Sequence, residues 1–298
     1  MSKTVYIIVG PTAVGKTSLA IQLAKHLQTE IISADARQCY KELEIGVARP
    51  SVDELNTVPH HFIASHTITE TVNASVFEKY ALAITKKLFE QKEYVVMVGG
   101  TGLYIKAFCE GLDEIPSIDP SIRNKITKEY EENGLIWLQN KLAQKDPIYW
   151  AQAEKENPQR LMRALEVIEG LGQSILTYQS HQKKTRSFKI QLIGLEMERA
   201  LLNEKINKRV ELMISEGLEK EVEKLLPQFS LNALQTVGYS EWLPYFNKEQ
   251  SLDQVISSIQ QNTRHYAKRQ MTWFKKDPAI QWVDASKPNL LDTIIANI

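Results

Sequence analysis

Cysteine is scarce, neither charge is in surplus and no apolar run is long enough to cross a bilayer. Cys39 and Cys109 are the only cysteines in 298 residues. They lie far apart and match neither a disulfide framework nor a CxxC metal knuckle, so they read as reduced thiols of a cytosolic chain. Lys plus Arg and Asp plus Glu both number 36, which excludes a global field that gathers polyanions. A nucleic-acid surface would therefore have to be a local patch. The N-terminal apolar run Val5–Val9 is too short for a membrane span and leads straight into a glycine loop. It reads as a core strand, not a signal peptide, and the expectation is a soluble, cytoplasmic, monomeric protein with no membrane association. Repeats and low-complexity tracts are missing. So is the N-K-x-D motif of a guanine-reading GTPase, and so is a plain apolar run ending in the Walker-B carboxylate of an ATP-driven motor. The 43% hydrophobic content suffices for one large or two modest domains.

What is present begins with GPTAVGKT at Gly10–Thr17, which satisfies the phosphate-loop pattern G-x-x-x-x-G-K-[ST] of nucleotide- and ATP-binding proteins. The run Val5–Val9 supplies the preceding buried strand. Leu19, Leu23 and Leu27, with Ala20 and Ala24, supply the stripe of the following helix. Gly10 and Gly15 let the backbone curl so that amides point at an anion, the helix N-terminus adds partial positive charge, and Lys16 adds a full one. The whole stretch is the candidate cradle: Gly10, Pro11, Thr12, Ala13, Val14, Gly15, Lys16 and Thr17, with the Thr17 hydroxyl a candidate ligand to Mg²⁺. The pattern specifies a diphosphate or triphosphate without specifying its carrier.

A second strand is expected over Glu30–Ala34, placing Asp35 at its carboxyl end with Ala36, Arg37 and Gln38 along the rim. Asp35 would hold Mg²⁺ through water, act as a general base, or cap a helix. His60, His61 and His66 cluster without a partner at metal spacing and read as structural or rim residues. A crossover helix over Val72–Leu88 leads to the strand Tyr94–Val98 and to GGTGLY, where the two glycines suggest a close backbone approach to a ligand. Thr101 there is either a phosphate contact or part of a plain strand-to-helix turn. Helix signals without strands follow: Asp119-Pro120 opens a helix through Ile122, Ile126 and Tyr130, and Asn157-Pro158 opens another ending at Gly170. Arg160 and Arg163 share a stripe that either grips phosphate or is a solvated face. The basic run Lys183, Lys184, Arg186 and Lys189 reads as solvated surface.

The strand Ile190–Leu195 returns the chain to the sheet. The expected organisation is an α/β phosphate-loop core over 1–112, an all-helical insertion over 113–187 and a return to the core over 188–298, with a parallel sheet flanked by helices. Helices are expected at 201–215 and 218–226, and a last edge strand at 279–283. A long helix over 253–274 mixes Arg264, Lys268 and Arg269 with Tyr266, Trp273 and Phe274. That mixture suits an RNA surface, or else an amphipathic helix whose rings are core. A small-molecule kinase, which also carries an inserted helical lid and an Asp facing its phosphate loop, is a rival reading. ATP turnover separates it from a transferase that uses another diphosphate.

Seven segments, in order, resemble the tRNA dimethylallyltransferase family of bacterial type: GPTAVGKT at 10–17, SADARQCY at 33–40, PHHFI at 59–63, VGGTGLY at 98–104, NPQRLMRALEV at 157–167, TVGYSEW at 236–242 and YAKRQMTWF at 266–274. The departures are small. GVARP stands at 46–50 where the family more often has GTAKP, and Cys39 follows the Arg-Gln pair. The resemblance implies transfer of a dimethylallyl group from dimethylallyl diphosphate to N6 of the adenine just 3′ of a tRNA anticodon. The phosphate loop and Mg²⁺ would hold the leaving diphosphate, Asp35 would be the general base, and Thr101 and Arg123 would bind diphosphate oxygens. It further implies tRNA contacts from Asp35, Ala36, Arg37, Gln38, Gln159, Arg160, Leu161, Met162, Arg163, Gly238, Tyr239, Lys268, Arg269 and Gln270.

Overall fold

A computed structural model describes residues 3–180 and 182–296. Six strands form one parallel sheet: β1 (Thr4–Val9), β2 (Ile31–Ser33), β3 (His60–His61), β4 (Tyr94–Val98), β5 (Lys189–Glu196) and β6 (Gln281–Asp284), in the order β3-β2-β4-β1-β5-β6. The helices are α1 (Lys16–His26), α2 (Val52–Thr57), α3 (Ala74–Leu88), α4 (Gly102–Glu110), α5 (Pro120–Lys145), α6 (Pro147–Trp150), α7 (Pro158–Leu171), α8 (Arg199–Ser215), α9 (Leu218–Leu225), α10 (Leu243–Phe246), α11 (Leu252–Phe274) and α12 (Leu290–Ile295). Strand β1 is buried at every position, as a continuous apolar run between two parallel neighbours must be. From β1 the chain moves outward to β2 and β3, returns through β4, and then crosses β1 to β5. The strand order therefore reverses beside β1, and the carboxyl ends of β1, β2 and β4 meet there.

The chain separates into two compact units, one running to Glu110 and resuming at Thr185, the other Gly111–Lys184. In the first, Leu19 and Leu23 of α1, Leu202 and Ile206 of α8 and Ala267 of α11 join the sheet residues Ile8, Val96 and Leu195 in one core. The helical unit has its own core, in which Ile126, Leu138, Leu142, Leu161 and Leu165 pack together. Helix α5 is two helices joined at Gly134, whose φ of 74° only glycine adopts freely, so the apolar spacing of Ile122, Ile126 and Tyr130 describes its first part alone.

One expectation changes, that of Arg186, and two others gain detail. His60 and His61 form an edge strand, and His61 Nε2 pairs with Glu30 at 2.7 Å; among the described residues no group of His, Cys, Asp and Glu has metal-holding geometry. Arg186 is not solvated surface. Its guanidinium pairs with Glu78 at 2.8 Å and donates to the carbonyls of Phe108 and Ala107, the last turn of α4. The two glycines after β4 border the cavity and also make room for protein: a Cβ on Gly99 would lie 2.1 Å from the Ala34 carbonyl oxygen, and one on Gly100 would lie 2.0 Å from Gln270 Nε2. Gly99→Ala should therefore lower stability by about 1–3 kcal/mol, read as a shift in the urea midpoint at unchanged slope. An unshifted midpoint would show that β2 and β4 can separate at no cost.

Candidate active site

The phosphate loop closes against β5. Gly10 has φ 138°, and a Cβ there would sit 2.5 Å from the Leu195 carbonyl oxygen. Beyond the loop lies a cavity of about 740 Å³ whose wall includes Lys16, Thr17, Asp35, Glu54 and Arg209. A smaller space of about 270 Å³ shares Thr12, Asp35 and Arg209 and is otherwise walled largely by apolar groups, among them Val47, Ile206, Val210 and Met213.

Two cations face the larger cavity, and the oxygens they bond are neutral. Lys16 Nζ donates to the carbonyls of Gly10 at 3.0 Å and Pro11 at 2.7 Å. Arg209 Nη1 donates to Thr12 Oγ1 at 3.1 Å, and Nη2 to the Ala48 carbonyl at 3.5 Å. Burial pushes the Lys16 ammonium down to about 7; Arg209 adds to this and Asp35 opposes it. Burial also lowers Arg209, again against the pull of Asp35. Arg209 is a candidate site residue that the motif reading omits. Its signal lies in α8, where it interrupts the stripe Leu202, Ile206, Val210, Met213 as a cation on a core-facing side.

Asp35 sits at the end of β2. Its Oδ1 accepts from the amides of Arg37 at 2.8 Å and Gln38 at 3.2 Å, tying a turn and not a helix, while the residue lines both cavities. Thr101 Oγ1 accepts from the Ala36 amide at 3.0 Å and hydrogen-bonds the hydroxyl of Tyr266. Thr101 thus holds the Asp35 turn from the β4 side. Tyr266 is pushed up to about 12, first by burial and then by Asp35, and stays a neutral hydroxyl.

Several residues expected at an RNA surface are internal. Leu161 and Met162 are 0% and 3% exposed in the helical core, so their side chains offer RNA nothing. Gln38 Nε2 is taken up by the carbonyls of Val47 and Ala48, at 3.2 and 2.9 Å. Tyr239 is fully buried, and its hydroxyl donates to Glu221 at 2.6 Å; burial, then Glu221, raises its pKa. Glu221 also accepts the amides of Glu44, Ile45 and Gly46, an anchor for the 44–48 wall that no motif announces. Gly238, at φ 96°, donates its amide to Glu241 at 2.9 Å. Gln270 is buried as well, its amide bonded to Thr12 and Gly100.

The exposed candidates are Lys268, Arg269 and Trp273, along one face of α11, whereas Phe274 is core. Arg37 is half-buried and reaches Asn232 at 3.4 Å. In the helical unit Arg163 pairs with Glu166 at 2.9 Å and Arg160 with Glu154. Arg123 bridges Glu166 at 3.4 Å and Gln159 at 3.0 Å.

The IPP transferase family model matches residues 38–277. The chain belongs to the IPP transferase family. A tRNA dimethylallyltransferase of Christiangramia forsetii is 47% identical over 100% of this chain and 99% of its own length, and one of Flavobacterium johnsoniae is 43% identical over 98% and 97%. Among solved structures, a full-length tRNA isopentenylpyrophosphate transferase from Bacillus halodurans superposes with a TM-score of 0.72 at 33% identity, covering 100% of this chain and 94% of that one. A eukaryotic dimethylallyltransferase acting on tRNA gives 0.78 at 25%, covering 99% and 77%. These matches carry the α/β sheet with its helical unit across the whole chain. The phosphate loop, which precedes residue 38, falls within the full-length relatives.

A buried lysine lowered to about 7 gains its proton when an anion arrives. Binding of inorganic diphosphate should therefore take up a proton as pH rises above 7, with affinity weakening over the same range. Calorimetry in buffers of different ionisation enthalpy reads the uptake, and Lys16→Met should abolish it; an undiminished uptake in that variant would place the titrating group elsewhere.

Proposed function

We propose that this chain transfers a dimethylallyl group from dimethylallyl diphosphate to N6 of the adenine 3′-adjacent to the anticodon of tRNA, releasing diphosphate. The observation that carries the reading is the pairing of two desolvated cations, Lys16 and Arg209, with one carboxylate, Asp35, on the wall of one cavity, beside a smaller space that Asp35 and Arg209 share with apolar side chains. Diphosphate leaves readily only when its charge is masked. Lys16, Arg209 and the loop amides meet it where burial has removed competing water. Thr17, at the start of α1 and on the cavity wall, fits a Mg²⁺ that would need one protein hydroxyl and otherwise phosphate and water oxygens; bound there, the ion would supply further charge neutralisation.

The five-carbon group sits against Val47, Ile206, Val210 and Met213. As its C1–O bond breaks, positive charge spreads over the allyl system, and the adenine amine forms the new C1–N bond. The N6 proton passes to Asp35, whose Oδ1 is fixed by two amides and which lines both cavities. Thr101 acts on Asp35 through the Ala36 amide. The adenine must leave its stack to reach Asp35. Lys268, Arg269 and Arg37 would meet RNA phosphates, as would Gln159, Arg160 and Arg163 of the helical unit, the two arginines there giving up their glutamate partners. Arg123, expected to bind diphosphate oxygens, would have to give up Glu166 and Gln159. All the donor-site groups come from one chain, so a cytoplasmic monomer suffices. ATP has no part in the scheme.

Incubation with unmodified tRNA and labelled dimethylallyl diphosphate, without ATP, should place label in a single RNA nucleoside; ATP hydrolysis with no label would overturn the assignment. Asp35→Asn, which keeps the turn's acceptor oxygen, should lower turnover by about 10²–10⁴-fold at unchanged tRNA affinity. Lys268→Ala with Arg269→Ala should weaken tRNA binding and reduce the slope of log K against log salt by about 1–2. An unchanged slope would remove α11 from the RNA surface.

A further inference from the structure

Helix α11 turns an exposed face outward with Lys268, Arg269 and Thr272, yet one polar residue in the same stretch is buried. Gln270 is 6% exposed. Its Oε1 accepts the Thr12 amide at 2.8 Å, and its Nε2 donates to the Gly100 carbonyl at 3.0 Å. Thr12 belongs to the loop after β1 and Gly100 to the turn after β4. These are different chain segments, 88 positions apart (100 − 12), and both border the donor cavity. The fit is close: a Cβ on Gly100 would lie 2.0 Å from Gln270 Nε2, so the glycine provides the room for the amide. Thr12 is engaged a second time, through the bond from Arg209 to its hydroxyl.

We propose that Gln270 is a positioning residue of the donor site and not an RNA contact: its side-chain amide locks the phosphate loop to the β4–α4 turn, so that Arg209 and the Lys16 loop present one rigid surface to diphosphate. The inference rests on the proposed use of that loop for a prenyl diphosphate. The chemistry admits few substitutes. Only a primary amide of this reach accepts from one loop and donates to the other. Asn is a methylene short, Glu has no donor, and Met has neither group. Losing the amide leaves a buried N–H and a buried C=O without partners, and the two loops free to separate. Separation moves Thr12, and with it the oxygen that steers Arg209.

The test uses the full-length protein and steady-state kinetics with both substrates, alongside tRNA binding at several salt concentrations. Gln270→Met should raise the donor KM by about ten- to a hundredfold, the effect of two lost buried hydrogen bonds. kcat should change less, and tRNA affinity and its salt slope should stay as in the parent. Gln270→Glu should raise the donor KM further, since it sets a negative charge beside the cradle. Gly100→Ala drives a methyl group into the same amide; it should reproduce the donor defect and add little to Gln270→Met in the double variant. If Gln270→Met does not fold, Gly100→Ala carries the test.

A weakened tRNA affinity with an unchanged donor KM would overturn the inference in favour of direct RNA contact. So would a fall in kcat alone, or no change at all. Lys16→Ala run in parallel separates the two readings. If it too leaves the donor KM untouched, the donor assignment itself fails. If it raises the KM while Gln270→Met does not, only the clamp fails.

Discussion

The site depends on a deliberate electrostatic deficit. Lys16 and Arg209 are held near each other and away from bulk water, and the oxygens they bond are neutral carbonyls and a hydroxyl. A carboxylate bonded to either would relieve the cost of burial but would also compete with any anionic ligand. Asp35 is close enough to oppose the depression of Lys16, yet its Oδ1 is occupied by the amides of its own turn. A polyanion bound beside the two cations would offset the cost of their burial. The fold supplies this arrangement by bringing the carboxyl ends of β1, β2 and β4 together at the strand-order reversal and by laying α8 across them.

Elements whose pattern is local were legible in the sequence. GPTAVGKT, with its apolar strand before and its leucine stripe after, defined β1, the loop and α1 directly, and Asp35 followed from the end of the second apolar run. Residues whose role is set by partners far along the chain were not legible in this way. Arg209 reads as one cation among several in α8 until the helix is placed on the sheet. Glu221 reads as a charged residue of a short helix, although it holds three consecutive amides of the 44–48 wall. The glycines at 99 and 100 were legible as close approaches, whereas Gly102 was not. What approaches them, Ala34, Gln270 and Trp273, depends on tertiary packing that no local pattern encodes.

Helix α11 shows the same division within a single segment. Read as a string, YAKRQMTWF mixes cations, rings and an amide. Wound at 3.6 residues per turn, it sorts them: Tyr266, Gln270 and Phe274, four apart, turn inward, whereas Lys268 and Arg269 turn outward. The inward group reaches the Asp35 turn through Thr101 and the phosphate loop through Thr12. One rigid element thus has an RNA-suited cationic face on one side and the donor site's supports on the other. A pattern of this kind constrains both faces at once, which is why so mixed a string can mark a family.

A phosphate loop with an aspartate across from it would equally serve phosphoryl transfer, so the loop alone does not decide the chemistry. The wall does. A kinase acceptor hydroxyl needs polar contacts to orient it in line with a phosphorus atom, and a nucleotide donor needs a base pocket beyond the phosphates. Beside Arg209 and Asp35 this chain has a space lined by Val47, Ile206, Val210 and Met213 together with threonine hydroxyls and Tyr266. Its apolar part would keep water from a carbon centre that becomes electron-poor as diphosphate departs. In the proposed reaction that exclusion matters more than attraction. An allylic cation exposed to solvent would be captured by water, whereas here the nucleophile within reach is the amine that Asp35 holds and deprotonates.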